Sequence, residues 1–106
     1  MNSDKLVKIA VDALEEIKAF DIKVLSVSKL TSMFDYIVIA SASSSRQTKA
    51  LADNVREKVK SAGGSILSLE GEQTGEWLLV DLGDVIVHIM QPEAREYYNL
   101  EALWVS

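Results

Sequence analysis

The side chains best suited to chemistry are the only histidine, His88, and two nearby acids, Asp81 and Asp84. An imidazole could activate a nucleophile, or it could bind a metal together with the two carboxylates. However, His88 is predicted on a strand face beside Leu79, where a histidine satisfied within the fold or in contact with a partner is the simpler interpretation. Asp84 is a typical turn residue, and no third metal ligand is evident on rigid structure. We therefore predict no catalytic residue and no metal site.

A serine-rich stretch, SASSSRQ at 41–47, is the second candidate for chemistry. Backbone N–H groups at the start of a helix could bind a phosphate there with help from Arg46. This strand–turn–helix arrangement is similar to that of nucleotidyltransferases, which also need metal-binding carboxylates on the next strand, where only Glu70 is present. Ser44 and Gln47 have the spacing of a capping box, which explains the stretch without a ligand. We predict no cofactor, and an enzyme acting on nucleotides stays open as an alternative.

Two apolar runs, 77–82 and 85–90, flank Gly83-Asp84, a dipeptide that suits a two-residue type II′ hairpin turn. If Leu82 pairs with Val85, one side of the hairpin is wholly aliphatic. This aliphatic face carries Leu78, Val80, Val87 and Ile89. The opposite side, the mixed face, pairs Trp77 with Met90, Leu79 with His88, and Asp81 with Ile86. We predict that the aliphatic face packs on helices and that the mixed face contacts a partner, unless the C-terminal tail folds back over it.

Length and composition predict one domain over residues 1–106, with a hydrophobic content of 48% that argues against disorder. The chain has no cysteine, which excludes disulfides and thiolate metal sites. The charged, amphipathic start does not resemble an export signal, and no apolar run approaches the ~20 residues that span a membrane. These features predict a soluble, cytoplasmic protein that does not bind membranes.

Acidic residues dominate the C-terminal part of a chain whose net charge is −5. Between positions 70 and 101 the only basic residue is Arg95, whereas the acids are Glu70, Glu72, Glu76, Asp81, Asp84, Glu93, Glu96 and Glu101. Such a surface repels nucleic acid and suits a basic protein. We therefore predict no direct sequence-specific contact with nucleic acid. A solvated face selected for solubility is the alternative.

Hydrophobic periodicity and turn residues predict the remaining elements. They are a helix over 4–19, strands over 23–28 and 36–40, a helix from the serine stretch to about 62, a strand over 65–70, the hairpin strands, a short helix over 92–98 and an apolar tail over 100–104. The strand–helix–strand unit over 36–70 implies a parallel strand pair with a right-handed crossover. The order αββαβββα predicts an α/β two-layer sandwich: a mixed five-stranded sheet with the two long helices on one face.

Two segments resemble the ribosomal silencing factor (RsfS, Iojap) family, DYIVIASASSSRQTKALAD at 35–53 and GEQTGEWLLVDLGDVIVHIMQPEAREYYNLEALW at 71–104. The agreement extends over essentially the whole chain, and the second segment is the more specific. The matching positions are Asp35, Ser45-Arg46-Gln47, Ala52-Asp53, Glu70-Gly71, Trp77, Asp81-Leu82-Gly83-Asp84, His88, Arg95, Tyr98, Leu100-Glu101 and Leu103-Trp104.

This resemblance implies a protein that binds a ribosomal protein on the joining surface of the large ribosomal subunit. It further implies that the protein blocks association with the small subunit, represses translation under nutrient limitation, and forms a homodimer when free. The implied fold is nucleotidyltransferase-like without its catalytic carboxylates. Assembly of the large subunit is the alternative role.

Surface chemistry and resemblance together suggest specific contacts with the basic partner. The predicted apolar anchors are Trp77, Leu79 and Met90, the predicted acids are Glu70 and Asp81, and the predicted polar contacts are His88 and Tyr98.

Overall fold

A computed structural model describes residues 1–104. Its elements are α1 (Ser3–Glu16), β1 (Phe20–Ser26), β2 (Tyr36–Ser41), α2 (Ser45–Ser61), β3 (Ser68–Glu70), β4 (Trp77–Asp81), β5 (Val85–Met90), α3 (Pro92–Tyr98) and α4 (Leu100–Leu103). The predicted α/β class with a mixed five-stranded sheet is confirmed. The single turn α4 extends the predicted order, because the apolar tail is helical.

The five strands form one sheet in the order β1-β2-β5-β4-β3, in which β2 and β5 are parallel and the other neighbours antiparallel. The hairpin register is the predicted one throughout, with Trp77 opposite Met90, Leu79 opposite His88 and Asp81 opposite Ile86. Since strand side chains alternate between faces, this register separates the aliphatic face from the mixed face.

The predicted parallel pairing of the strands before and after α2 is wrong. β3 pairs antiparallel with β4 and occupies the far edge of the sheet, while β5 takes the place beside β2. The crossover therefore spans the width of the hairpin, which inserts between the two strands. β3 keeps the predicted direction but has only three residues, Ser68–Glu70.

The two long helices cover the aliphatic face. Apolar side chains from α1 and α2 join the sheet in a single buried cluster that includes Leu14, Leu51, Leu78, Val80 and Val87. Asn2 caps α1, and its side chain accepts from the Lys5 backbone N–H at 2.8 Å.

Side chains of α2 also hold the C-terminal end of α1. The Gln47 amide donates to the backbone carbonyls of Ile17 and Lys18, each at 3.2 Å, and the Asn54 amide donates to that of Ala13 at 2.8 Å. These bonds satisfy carbonyls that a helix end leaves without partners. α1 consequently ends at Glu16 and not at position 19, with Lys18 in the left-handed region at φ 65°.

Ser44 is the N-cap of α2, as predicted, and its hydroxyl accepts from the Gln47 backbone N–H at 3.1 Å. The reciprocal half of the capping box is displaced by one residue. The Gln47 side-chain oxygen accepts from the backbone N–H of Ser43 at 2.8 Å, and not from that of Ser44.

The edge strand β1 begins three residues earlier than predicted and ends two residues earlier. Its pairing with β2 shifts between Phe20 and Lys23, where Asp21 has a φ of 49°. The irregularity is a bulge, and bulges are common on edge strands.

A second, smaller core lies on the opposite side of the sheet. Val27, Ile37, Ile39 and Met90 form a buried cluster, and side chains of α3 and α4 pack against it. The mixed face is therefore partly covered by the C-terminal part of the chain.

Candidate partner-binding site

The hairpin turn at one end of the mixed face is closed by Asp81. Its carboxylate accepts from the Gly83 backbone N–H at 2.8 Å, and Gly83 has a φ of 91° that favours glycine. The Leu82 N–H donates to the Val85 carbonyl at 3.0 Å. Asp81 is half-buried, so it both supports the turn and presents negative charge at its end.

Met90 lies at the other end of the mixed face and is 0% exposed. Ala94, Leu100 and Trp104 pack against the small core to which Met90 belongs, and the Trp104 ring meets Phe34 edge-on at 5.6 Å between centroids. The expectation that Met90 lies on an open surface is therefore wrong, because α3 and α4 cover it.

His88 is also more enclosed than a surface contact residue would be, with 9% of its surface exposed. Its Nδ1 accepts a hydrogen bond of 3.0 Å from the Trp77 indole Nε1–H. Burial lowers the pKa of His88 to about 4, because a charged imidazolium would lose its hydration. His88 is thus neutral, with its Nδ1 satisfied within the fold, which was one of the interpretations left open.

An aromatic row leads from this buried histidine to the surface. It consists of His88, Trp77, Tyr98 and Tyr97. Ring centroids are 5.8 Å apart for His88 and Trp77, 4.7 Å for Trp77 and Tyr98, and 5.0 Å for Tyr98 and Tyr97. Exposure rises along the row to 52% for Tyr98 and 82% for Tyr97. Large exposed aromatic side chains with a rigid base are typical of protein interfaces.

A groove of about 350 Å³ borders the outer end of the aromatic row. Its walls are Glu76, Gln91, Glu93, Ala94, Tyr97 and Tyr98. The tyrosines were predicted as neighbours of the mixed face and Glu93 as part of the acidic surface, but neither Gln91 nor Glu93 was predicted as a contact residue. These two follow Met90 at the start of α3, so the predicted helix over 92–98 was the signal that could have located them.

The segment 71–76 sets the position of Trp77 beside this groove. A Cβ on Gly71 would stand 1.9 Å from the Trp77 carbonyl oxygen, so a side chain there would displace the strand. The Gly75 carbonyl accepts from the Thr48 hydroxyl at 2.7 Å and from the Gln91 amide at 3.1 Å. Helix α2 and the segment leading into α3 thereby hold this loop from two sides.

Negative charge surrounds the aromatic row, whereas the nearby positive charge is engaged. Glu70, Glu76 and Glu93 are exposed, and Leu79 is half-buried between Glu70 and His88 in the strand register. The Arg95 guanidinium donates to the Asp21 carbonyl at 2.5 Å and the Ser41 hydroxyl at 2.8 Å. It also pairs with Glu101 at 3.4 Å. Arg95 thus anchors α3 to the edge of the sheet and contributes little positive charge to the surface.

Two observations bear on the alternative sites for chemistry. Within residues 1–104, no group of three or more His, Asp or Glu side chains is placed to hold a metal ion. The Ser44 hydroxyl is occupied by its capping bond, as already described. The same residues contain no helix with the length and apolar character required to traverse a bilayer.

The fold and this surface define a small α/β protein that presents aromatic rings among carboxylates. A family model described as "Ribosomal silencing factor during starvation" matches residues 1–106, and the chain belongs to this family. The family description names a silencing factor of ribosomes and no enzymatic reaction.

Individual relatives agree with this assignment. The ribosomal silencing factor of Chromobacterium violaceum is 51% identical over 98% of this chain and 85% of its own length, and that of Bacillus subtilis is 36% identical over 98% and 88%. A mouse protein named "Mitochondrial assembly of ribosomal large subunit protein 1" is 34% identical over 92% of this chain but only 44% of its own length.

Solved structures share the fold. A crystal structure of a Chromobacterium violaceum protein, 51% identical, superimposes with a TM-score of 0.96 and covers 98% of this chain and 87% of that one. A Bacillus halodurans crystal structure, 34% identical, gives 0.87 over 96% and 95%. The similarity to nucleotidyltransferases suggested by the sequence is not among these findings and stays a prediction.

Proposed function

We propose that this protein binds the large ribosomal subunit through a basic ribosomal protein on its joining surface and sterically excludes the small subunit. Residues 1–106 act as one unit in the cytoplasm, and repression of translation under nutrient limitation follows without a chemical step. Family membership is the observation that carries this proposal, and the chemistry of the aromatic row supports it.

The surface around the aromatic row fits a basic protein partner. Tyr and Trp side chains bury much area at little entropic cost, which makes them frequent interface anchors. The exposed carboxylates of Glu70, Glu76 and Glu93 would attract a cationic surface and accelerate association.

The roles of the predicted contact residues divide according to their burial. Trp77, Leu79 and Tyr98 are the proposed apolar and aromatic contacts, and Glu70 and Asp81 are the proposed acidic contacts. Met90 and His88 act from beneath this surface, because the chain itself covers the first and encloses the second.

Sedimentation through sucrose gradients with separated ribosomal subunits tests the proposal. The protein should sediment with the large subunit and not with the small one. When it is added before the subunits are mixed, it should lower the yield of joined ribosomes. Equal binding to both subunits, or normal joining at saturating protein, would contradict the proposal.

A charge reversal locates the contact surface. Glu70→Lys places a positive charge on the exposed edge strand β3 and should slow association with the large subunit, with the greatest effect at low salt. Glu57→Lys is the matched control, because it makes the same change on an exposed position of α2 in the opposite layer. Equal binding by the two variants would remove Glu70 from the interface.

A role in assembling the large subunit is the second candidate, and the printed name of the mouse relative favours it. Cells depleted of the protein would then accumulate incomplete large subunits during growth in rich medium. Under the silencing proposal, depletion instead leaves mature subunits that continue to join during starvation.

We also propose that the free protein forms a homodimer. Sedimentation velocity over a range of protein concentrations tests this, since a reversible dimer dissociates on dilution. A single monomeric species at every concentration would contradict it.

A further inference from the structure

We propose that His88 is a positioning residue of the partner-binding site, which fixes the Trp77 ring in the orientation that meets the partner. This inference rests on the proposed function, since it assigns the buried histidine a task within the same surface.

His88 contacts the Trp77 indole directly. The Trp77 Nε1–H donates to His88 Nδ1 at 3.0 Å, and the ring centroids are 5.8 Å apart with an interplanar angle of 47°. An indole has one N–H donor, so rotating the ring away from this position loses its only hydrogen bond. The bond therefore selects one orientation of a half-buried side chain that could otherwise turn.

His88 is itself held in place from both sides. It lies on the central strand β5, between Ile39 of β2 and Leu79 of β4 in the register of the sheet. Because Nδ1 is the acceptor, the imidazole is neutral and carries its proton on Nε2. Because this buried acceptor is fixed within the sheet, its hydrogen bond restricts the orientation of the indole.

The order continues outward from Trp77. Its ring contacts Tyr98 at 4.7 Å between centroids, and Tyr98 in turn meets Tyr97 edge-on at 5.0 Å. A displaced indole would remove the surface on which Tyr98 rests. His88 would thereby influence binding although it contributes almost no exposed surface.

Three variants separate positioning from packing. His88→Leu removes the acceptor and keeps an apolar side chain, whereas His88→Asn restores an acceptor near the position of Nδ1. Val87→Ala is the matched control, because Val87 adjoins His88 on the same strand, is fully buried, and faces the aliphatic side of the sheet and not the partner-binding surface.

Two measurements are made on each variant. The first is the NMR signal of the Trp77 indole N–H, assigned with Trp104→Phe, since the chain contains two tryptophans. The second is affinity for the large subunit, measured below the unfolding transition of every variant.

His88→Leu should move the indole signal upfield, speed its exchange with solvent, and weaken binding about two- to tenfold, the range expected for one hydrogen bond. His88→Asn should restore both readouts in part, and Val87→Ala should change neither despite lower stability. An unchanged indole signal in His88→Leu, or binding equal to wild type, would overturn the inference. Failure of the wild-type protein to bind the large subunit would instead contradict the proposed function and leave the indole measurement to decide the positioning role.

Discussion

The two faces of the sheet are built on different principles. The aliphatic face is uniform, wholly apolar and covered by two long helices. The mixed face has a small core over β2 and the end of β5, partly covered by two short helices, and beside it an aromatic row that leads from His88 to solvent. The first arrangement stabilises the molecule, while the second uses a limited amount of packing to hold side chains that stay available to a partner.

The contrast suggests how a rigid interface can be obtained in a small protein. Exposed tyrosines lose rotational freedom on binding, and this loss reduces affinity unless the rings are already ordered. Here each ring of the aromatic row touches the next, down to a histidine within the sheet. The buried residues at the base of the row thus order the exposed tyrosines at its outer end before a partner binds.

The largest expected effect is on the aliphatic face. Leu78→Ala truncates a fully buried side chain between the sheet and the helices, and should lower the free energy of unfolding by about 2–5 kcal/mol. Urea denaturation measures this loss. Large-subunit affinity of the folded fraction should be unchanged, so reduced affinity at equal folding would show that the two faces are not independent.

Lowering the pH should reduce the stability of the protein through His88 on the mixed face. Its pKa is near 4 in the folded protein and about 6.5 when unfolded, so its stability contribution is complete above pH 6.5. As pH falls from 6.5 towards 4, the unfolded chain binds a proton that the folded one rejects, and about 3 kcal/mol is lost.

Denaturation of the wild-type protein and His88→Asn across this pH interval isolates that contribution. Other titratable groups in the register rows around His88 are Lys23, Glu70 and Asp81, with Tyr98 above Trp77. They are present in both proteins, so their effects cancel in the difference. A pH-independent difference in stability would show that His88 does not remain neutral in the folded protein.

Truncation of Tyr98 should weaken binding more than stability, the reverse of what is expected for Leu78. Tyr98→Ala should cost about 2 kcal/mol of large-subunit binding, as interface anchors do, with a small change in stability because Tyr98 is 52% exposed. Phe20→Ala is a suitable control, since this aromatic residue is 40% exposed on the edge strand β1. Equal losses of binding for both variants would argue against a localised site.

The smallest effect is expected at the start of α2. Ser44→Ala removes the capping hydroxyl and should lower stability by about 1 kcal/mol, measured by thermal or urea unfolding, while binding at low temperature stays unchanged. Loss of binding without loss of stability would revive the anion-site interpretation of the serine-rich stretch.

Local patterns predicted the local structure well. The hairpin register followed from Gly83-Asp84 and the alternation around it, and the short helix predicted over 92–98 has the bounds of α3. The residues of the aromatic row nearest the sheet were assigned to the correct face for the same reason, since strand periodicity is a property of the sequence itself.

The features that the sequence did not predict depend on contacts between residues that are far apart in the chain. The burial of Met90 depends on side chains of α3 and α4 that reach it only after the tail docks. Likewise, β3 lies at the far edge because β5, and not β3, pairs with β2. No short segment of the sequence determines which of these two strands pairs with β2. Met90 was therefore assigned to the correct face but to the wrong depth.

The parallel pairing of β2 with β5 also bears on the route by which the chain folds. These strands lie at the centre of the sheet, yet Tyr36 and Val85 pair across nearly half of the sequence. The β4–β5 hairpin can form early because its turn is two residues long, whereas joining it to β2 requires closure of a long loop. We therefore expect the hairpin and the α2 segment to form first. The pairing of the completed hairpin with β2 should then limit the rate of folding.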